Sequence, residues 1–152
     1  MITRPTTDVL IEDCCRELME GILPGLTDET LKLRLVMTET VLRNAAVRAA
    51  HEIAWMRAET AALIGYAGRV AERHGGQALR AALADLAAGP ADSLHLADVA
   101  DVYERAGHAF AAALAAAQEA GDADLVAHAR ELLRDRIATE KEVMATYAVV
   151  GR

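Results

Sequence analysis

His51 and Glu52, in the stretch HEIAWMRAET (residues 51–60), match the start of a helical zinc-protease signature. That chemistry needs a second His four residues on, so that two imidazoles meet on one helix face with the Glu as general base. Position 55 is Trp, so the second ligand is missing. A di-iron bundle would need Glu-x-x-His pairs facing inward, and no Glu here is followed by His at the third position. Two reversed pairs occur, His95/Asp98 and His128/Glu131. Both acids lean away from the apolar stripe of their helix, which predicts solvated faces and no metal. Gly-rich phosphate loops, paired aspartates for magnesium–diphosphate chemistry and a G-x-S-x-G elbow are all missing. Cys14 and Cys15 are adjacent, a spacing that permits only a strained bridge, and both are expected as small buried residues of a helix. Glu12, Asp13 and Glu17 beside them oppose formation of a thiolate nucleophile. No cofactor or metal is expected.

One constellation passes this filter. Arg48, Glu52, Trp55, Glu59 and Tyr66 recur along one flank of a long helical stretch, at near-heptad offsets beside its apolar stripe. Arg48 and Glu52 form an i,i+4 pair, worth a few tenths of a kcal/mol by itself. Glu140 falls at the centre of the last apolar stripe, between Ile137 and Met144, where a carboxylate is costly unless paired. If the two helices pack together, Arg48 can neutralise Glu140, with Trp55 as an apolar wall. The residues then make either a ligand pocket of Arg48, Glu52, Trp55, Glu59 and Glu140, or a structural ion pair, or a Glu140 that reaches solvent beside Lys141.

The elements that must position these side chains are helices. Thr6 or Thr7, after Pro5, caps a first helix from Thr7 to about Ile22, with Val9, Leu10, Cys14, Leu18 and Ile22 as its stripe, broken by Pro24-Gly25. From Thr27 the run TDET offers an N-cap with acids in the first turn. No Pro interrupts residues 28–73, and the first Gly is Gly65. Small or apolar residues recur at three- and four-residue intervals through Leu31, Leu35, Thr38, Leu42, Ala45, Ala49, Ile53, Met56, Thr60, Leu63, Ala67 and Val70. That predicts one very long helix, or two with a bend near Gly65–Gly68. Gln77 to Ala88 reads as a short helix. A fourth helix covers about Leu94–Ala120, capped by Ser93, with Leu96, Val99, Tyr103, Ala106, Phe110, Ala113 and Ala117 inward and Gly121 as its stop. The last helix spans about Ala123–Tyr147, with Val126, Ala129, Leu133, Ile137, Met144 and Tyr147 inward.

Composition agrees with that reading. The 152 residues are 53% hydrophobic but only 3% aromatic, and Ala dominates, which favours helix over strand. A net charge of −7 opposes binding to nucleic acid or to an anionic membrane surface. Lys32 and Lys141 are the only lysines; with the Ala excess, this Arg bias suggests a GC-rich bacterial source. The apolar run AAALAAA at 111–117 is far short of a membrane span, and MITRPTTDVL has no apolar signal core. A cytoplasmic location is expected.

The segments RPTTDVLIEDCCRELMEGILPGL and LRLVMTETVLRNAAVRAAHE together resemble the start of a small bacterial helical family of unknown function, encoded beside aminoglycoside-phosphotransferase-like kinases and acyl-CoA dehydrogenases. The likeness covers the first third of the chain; the helix around 94–120 departs from it. It supplies no catalytic residues and implies an accessory role near acyl-CoA metabolism.

The expectation is therefore an all-α, up-and-down bundle of four to five helices with one long central helix, forming a single domain over residues 1–152. Its high mean hydropathy of +0.14 suggests a homodimer that covers residual apolar surface. The leading function is non-enzymatic association, with itself or with a protein partner. The alternative is small-molecule binding or acid–base catalysis in an interhelical polar pocket.

Overall fold

The computed structural model of the protein describes residues 4–90 and 92–144. The fold is an all-α helical bundle with one long helix, and no strand occurs among the described residues. Its helices are α1 (Thr7–Arg16), α2 (Glu29–His74), α3 (Gln77–Ala87), α4 (Leu96–Glu119) and α5 (Ala123–Met144). The end expected for α5 at Tyr147 lies outside the described residues.

Two compact units divide the chain: residues 1–52 with 140–152, and residues 53–139. The second has the larger core. Leu63, Tyr66, Ala67 and Val70 of α2 meet Leu79 and Leu86 of α3, Ala106, Phe110, Ala113 and Ala117 of α4, and Leu125 and Ala129 of α5. Small residues dominate the α4 contribution, which lets helix backbones approach closely. Gly75 sits where α2 ends, and a Cβ there would meet the Ala71 carbonyl oxygen at 2.8 Å, so only Gly allows this exit.

Helix α4 stops by a glycine cap. Gly121 takes φ +69°, its N–H donates to the Gln118 carbonyl at 3.1 Å, and the Asp122 N–H donates to the Ala117 carbonyl at 3.0 Å. Asp122 then starts α5, its Oδ1 accepting from the Leu125 N–H at 3.1 Å. Its Oδ2 lies 2.8 Å from His74 Nε2 and 3.6 Å from Arg73 Nη1, tying the start of α5 to the end of α2. The His74 hydrogen bond, then the Leu125 amide and the Arg73 charge, hold this carboxyl below the usual carboxylate range.

The first unit is built differently. Helix α1 gives way to a π-helical turn over Glu17–Ile22 and a 3₁₀ turn over Leu23–Gly25, where a single α-helix to Ile22 was expected. Pro24 has no N–H to offer the Glu20 carbonyl, and its ring crowds that carbonyl, so the regular pattern cannot run through it. The wider turn is closed by the Leu23 N–H reaching back five residues to the Leu18 carbonyl. Asp28, not Thr27, caps α2, with its Oδ1 accepting from the Thr30 N–H at 2.7 Å.

Helix α2 runs unbroken for 46 residues, through Gly65 and Gly68. Of its anticipated stripe, Thr60, Leu63, Ala67 and Val70 are buried, Leu35, Leu42, Ala45, Ile53 and Met56 half-buried, and Ala49 exposed. In the first unit Leu31 and Thr38 are exposed, while Glu39 (6%), Thr40 (5%) and Asn44 (6%) are buried. Leu33, Met37 and Val41, one face at four-residue steps, stand 57%, 58% and 54% exposed. Glu39 is tolerated inside because Arg43, one turn on, pairs with it. Thr40 and Asn44 satisfy themselves within the helix, donating to the carbonyls of Val36 and Thr40 at 2.9 Å each. Among the described residues of this unit, Cys15 and Ala46 are the buried apolar ones. Cys14 is exposed, a correction to its expected burial, while burial pushes the Cys15 thiol up, away from a reactive thiolate.

Candidate functional site

The expected inward line of α5 holds at Val126 and Ala129 and departs by about one residue beyond them. Leu133 and Ile137 are substantially exposed, while Leu125, Ala129, Leu132 and Thr139 turn inward. Both series follow three- and four-residue spacing, so periodicity alone cannot choose between them. The rotation has two consequences. It leaves Glu140 exposed, outside any apolar stripe, and it puts the exposed Arg136 at the edge of a cleft.

In the second unit this opens a cleft of about 220 Å³ between α2 and α5. Trp55, Ala58, Glu59, Ala62 and Leu63 line it from α2; Leu132, Asp135, Arg136 and Thr139 line it from α5. Glu59 is its polar centre: Oε2 accepts from the Tyr103 hydroxyl at 3.0 Å, and Oε1 lies 3.8 Å from Arg136 Nε. The Arg136 guanidinium carbon in turn sits 5.8 Å from the centroid of the Tyr103 ring. Two other helices, α4 and α5, thus face the two oxygens of Glu59. The Asp135 carboxylate makes no ion pair among the described residues.

Of the five residues expected to bind a ligand, Trp55 and Glu59 line this cleft. Arg48, Glu52 and Glu140 belong to the first unit. There Arg48 and Glu52 pair with each other one turn apart, an exposed contact of about 0.3–0.5 kcal/mol. Tyr66, read as a neighbour on the same flank, is a fully buried core residue. Arg136, Asp135 and Tyr103 were the site residues that sequence reasoning missed. The only available signal was the second three-four series on α5, which continues from Leu132 to Arg136 and Thr139.

A second cleft of about 210 Å³ lies elsewhere in the same unit, lined by Arg57, Thr60, Ile64, Pro90, Ser93 and Val102 among others. Arg57 donates to the Ser93 carbonyl at 3.3 Å. Ser93 accepts from the His95 N–H at 3.1 Å and donates to Asp98 at 2.6 Å. It therefore braces the start of α4 from two residues before the N-cap, which His95 occupies in place of Ser93. His128 is half-buried, with its ring edge-on to Tyr66 at 5.6 Å and its nitrogens 3.0 and 3.2 Å from Arg69 Nη2, while its pair mate Glu131 is exposed. No group of three or more potential metal ligands gathers among the described residues. No described helix is long and apolar enough to cross a membrane.

The chain matches no protein-family model, no curated protein and no solved structure.

Proposed function

We propose that the protein is a helical association protein that pairs with a second copy of itself through its first unit. The supporting observation is the reversed burial on α2, where Glu39, Thr40 and Asn44 are inside and Leu33, Met37 and Val41 outside. An exposed apolar line on a helix whose opposite side is already packed has no use within the unit. Val9, Leu10, Ile22 and Leu31 of the same unit are also exposed. Two like helix pairs close into a four-helix arrangement, and a two-fold interface asks each copy for one self-complementary face. Covering a half-exposed Leu, Ile, Val or Met contributes about 1 kcal/mol. The seven such side chains on each of two copies supply roughly 14 kcal/mol, comparable with the ~4–15 kcal/mol that association costs. That suits reversible pairing. We place the protein in the cytoplasm, where two adjacent free cysteines stay reduced. The sequence resemblance adds an accessory role near acyl-CoA metabolism to this proposal.

The test is sedimentation equilibrium with native mass spectrometry, on the wild type and on Leu33→Glu/Met37→Glu. The expected result is a concentration-dependent dimer for the wild type and a monomer of unchanged helical circular dichroism for the variant. A wild type that stays monomeric at all concentrations, or a variant that dimerises as well as the wild type, would refute the assignment.

The cleft favours a second reading, small-molecule binding by Trp55, Glu59 and Arg136. Acid–base catalysis, the other half of that alternative, is less supported, because both oxygens of Glu59 already face partners.

A further inference from the structure

We infer that the cleft between α2 and α5 takes a small organic cation, an amine or quaternary ammonium carried on a short apolar body. This rests on reading the cleft as a ligand site and adds the class of ligand. It is independent of self-association, which concerns the other unit.

Size gives the first limit. About 220 Å³ lies below the ~300–1,000 Å³ of ordinary ligand sites, so nucleotides and their larger relatives do not fit. The walls give the second. Trp55, Leu63 and Leu132 present apolar surface to the body of a ligand, and an indole face also attracts a cation directly. Charge decides the class. Glu59 and Asp135 contribute two negative charges and Arg136 one positive, leaving the lining net negative. The positive charge is already directed inward, against Glu59 at 3.8 Å and the Tyr103 ring at 5.8 Å. A ligand carboxylate would have to compete with Glu59 for Arg136 while approaching Asp135. An ammonium meets Asp135, an exposed carboxylate that makes no ion pair among the described residues. The net charge of −7 adds a long-range attraction for cations at low salt.

Trp55 is the only Trp of the chain, so its emission reports on this cleft alone. The experiment titrates the full-length protein at pH 7 with three probes of one shape, cyclohexylmethylammonium, cyclohexylmethanol and cyclohexanecarboxylate. Trp fluorescence and calorimetry read the binding. The expected result is saturable binding of the ammonium with a dissociation constant of about 1 mM, as befits so small a ligand, and at least roughly fivefold tighter than either other probe. Asp135→Asn should abolish that preference. Glu131→Gln, an exposed acid of the same helix outside the cleft, should leave it intact. Preference for the carboxylate, equal affinity for all three, or a cation preference that survives Asp135→Asn would overturn the class while leaving the cleft a ligand site. No saturable binding of any probe by either method would overturn the ligand-site reading as well.

Discussion

Tyr66 shows how far a single residue can depart from its sequence neighbourhood. Its ring is fully buried, tilted against Phe110 at a centroid distance of 5.2 Å and edge-on to His128. Its hydroxyl finds no hydrogen-bond partner among the described residues. Burial first, and the charge of Asp122 second, push the phenol above its usual range, so it stays neutral near pH 7. An unsatisfied buried hydroxyl costs about 1–3 kcal/mol. Tyr66→Phe should therefore leave stability unchanged or raise it by about 1 kcal/mol in urea denaturation. A loss of that size would show that the hydroxyl is bonded in solution. In the cleft, Trp55 and Glu59 were legible because they sit on a helix whose periodicity is strong there. Arg136 was not, because an Arg one position from an apolar stripe reads as a solvated residue until its neighbours are known. Tyr103 was placed in the core by its spacing, and only packing shows its hydroxyl turned to Glu59.

The element ends divide the same way. Gly121 was expected to stop α4, and the left-handed backbone and paired hydrogen bonds at that position give the reason. Gly121→Ala should cost about 1 kcal/mol, because a Cβ is disfavoured at φ +69° whatever the open space around it. Gly121→Asn should cost less, since Asn tolerates that conformation. Equal losses for the two variants, measured by thermal denaturation, would mean that the backbone conformation is not what the glycine provides. Two other ends were misjudged for a shared reason. Ser93 and Thr27 are good capping residues by type, yet His95 and Asp28 occupy or perform the cap. Several adjacent residues qualify at each site, and the path of the chain into the helix selects among them. The unbroken course of α2 through Gly65 and Gly68 was left open by the sequence. A glycine weakens a helix without ending it, and around this pair Leu63, Tyr66, Ala67 and Val70 are all held in the core.

At the scale of the molecule, acid should reveal what joins the helices of the second unit. Asp122 is held below its unfolded value, so its contribution is complete above about pH 4 and fades as pH falls through the lower folded value. Asp122→Asn keeps a capping side chain but removes the charge. It should lower the melting temperature by a few degrees at pH 7 and much less at pH 3, flattening the acid limb relative to the wild type. Parallel limbs for the two proteins would exclude this linkage. The sequence by itself determined that the protein is helical, because its composition offers little for a strand and its apolar spacing is three-four throughout. It also determined where the chain turns, since Pro24-Gly25, Gly75-Gly76, Gly89-Pro90 and Gly121 have few other uses. Tertiary structure decided which face of each helix is inside. On α5 two stripes one residue apart were equally periodic, and contact with the other helices selected the line through Leu125, Ala129 and Leu132. On the first half of α2 the same freedom placed Glu39 and Asn44 inward and Leu33 and Met37 outward, because the inward carboxylate and amide could be satisfied by groups one turn away. Periodicity fixes the spacing of a face but not its direction, and direction is a property of the neighbours.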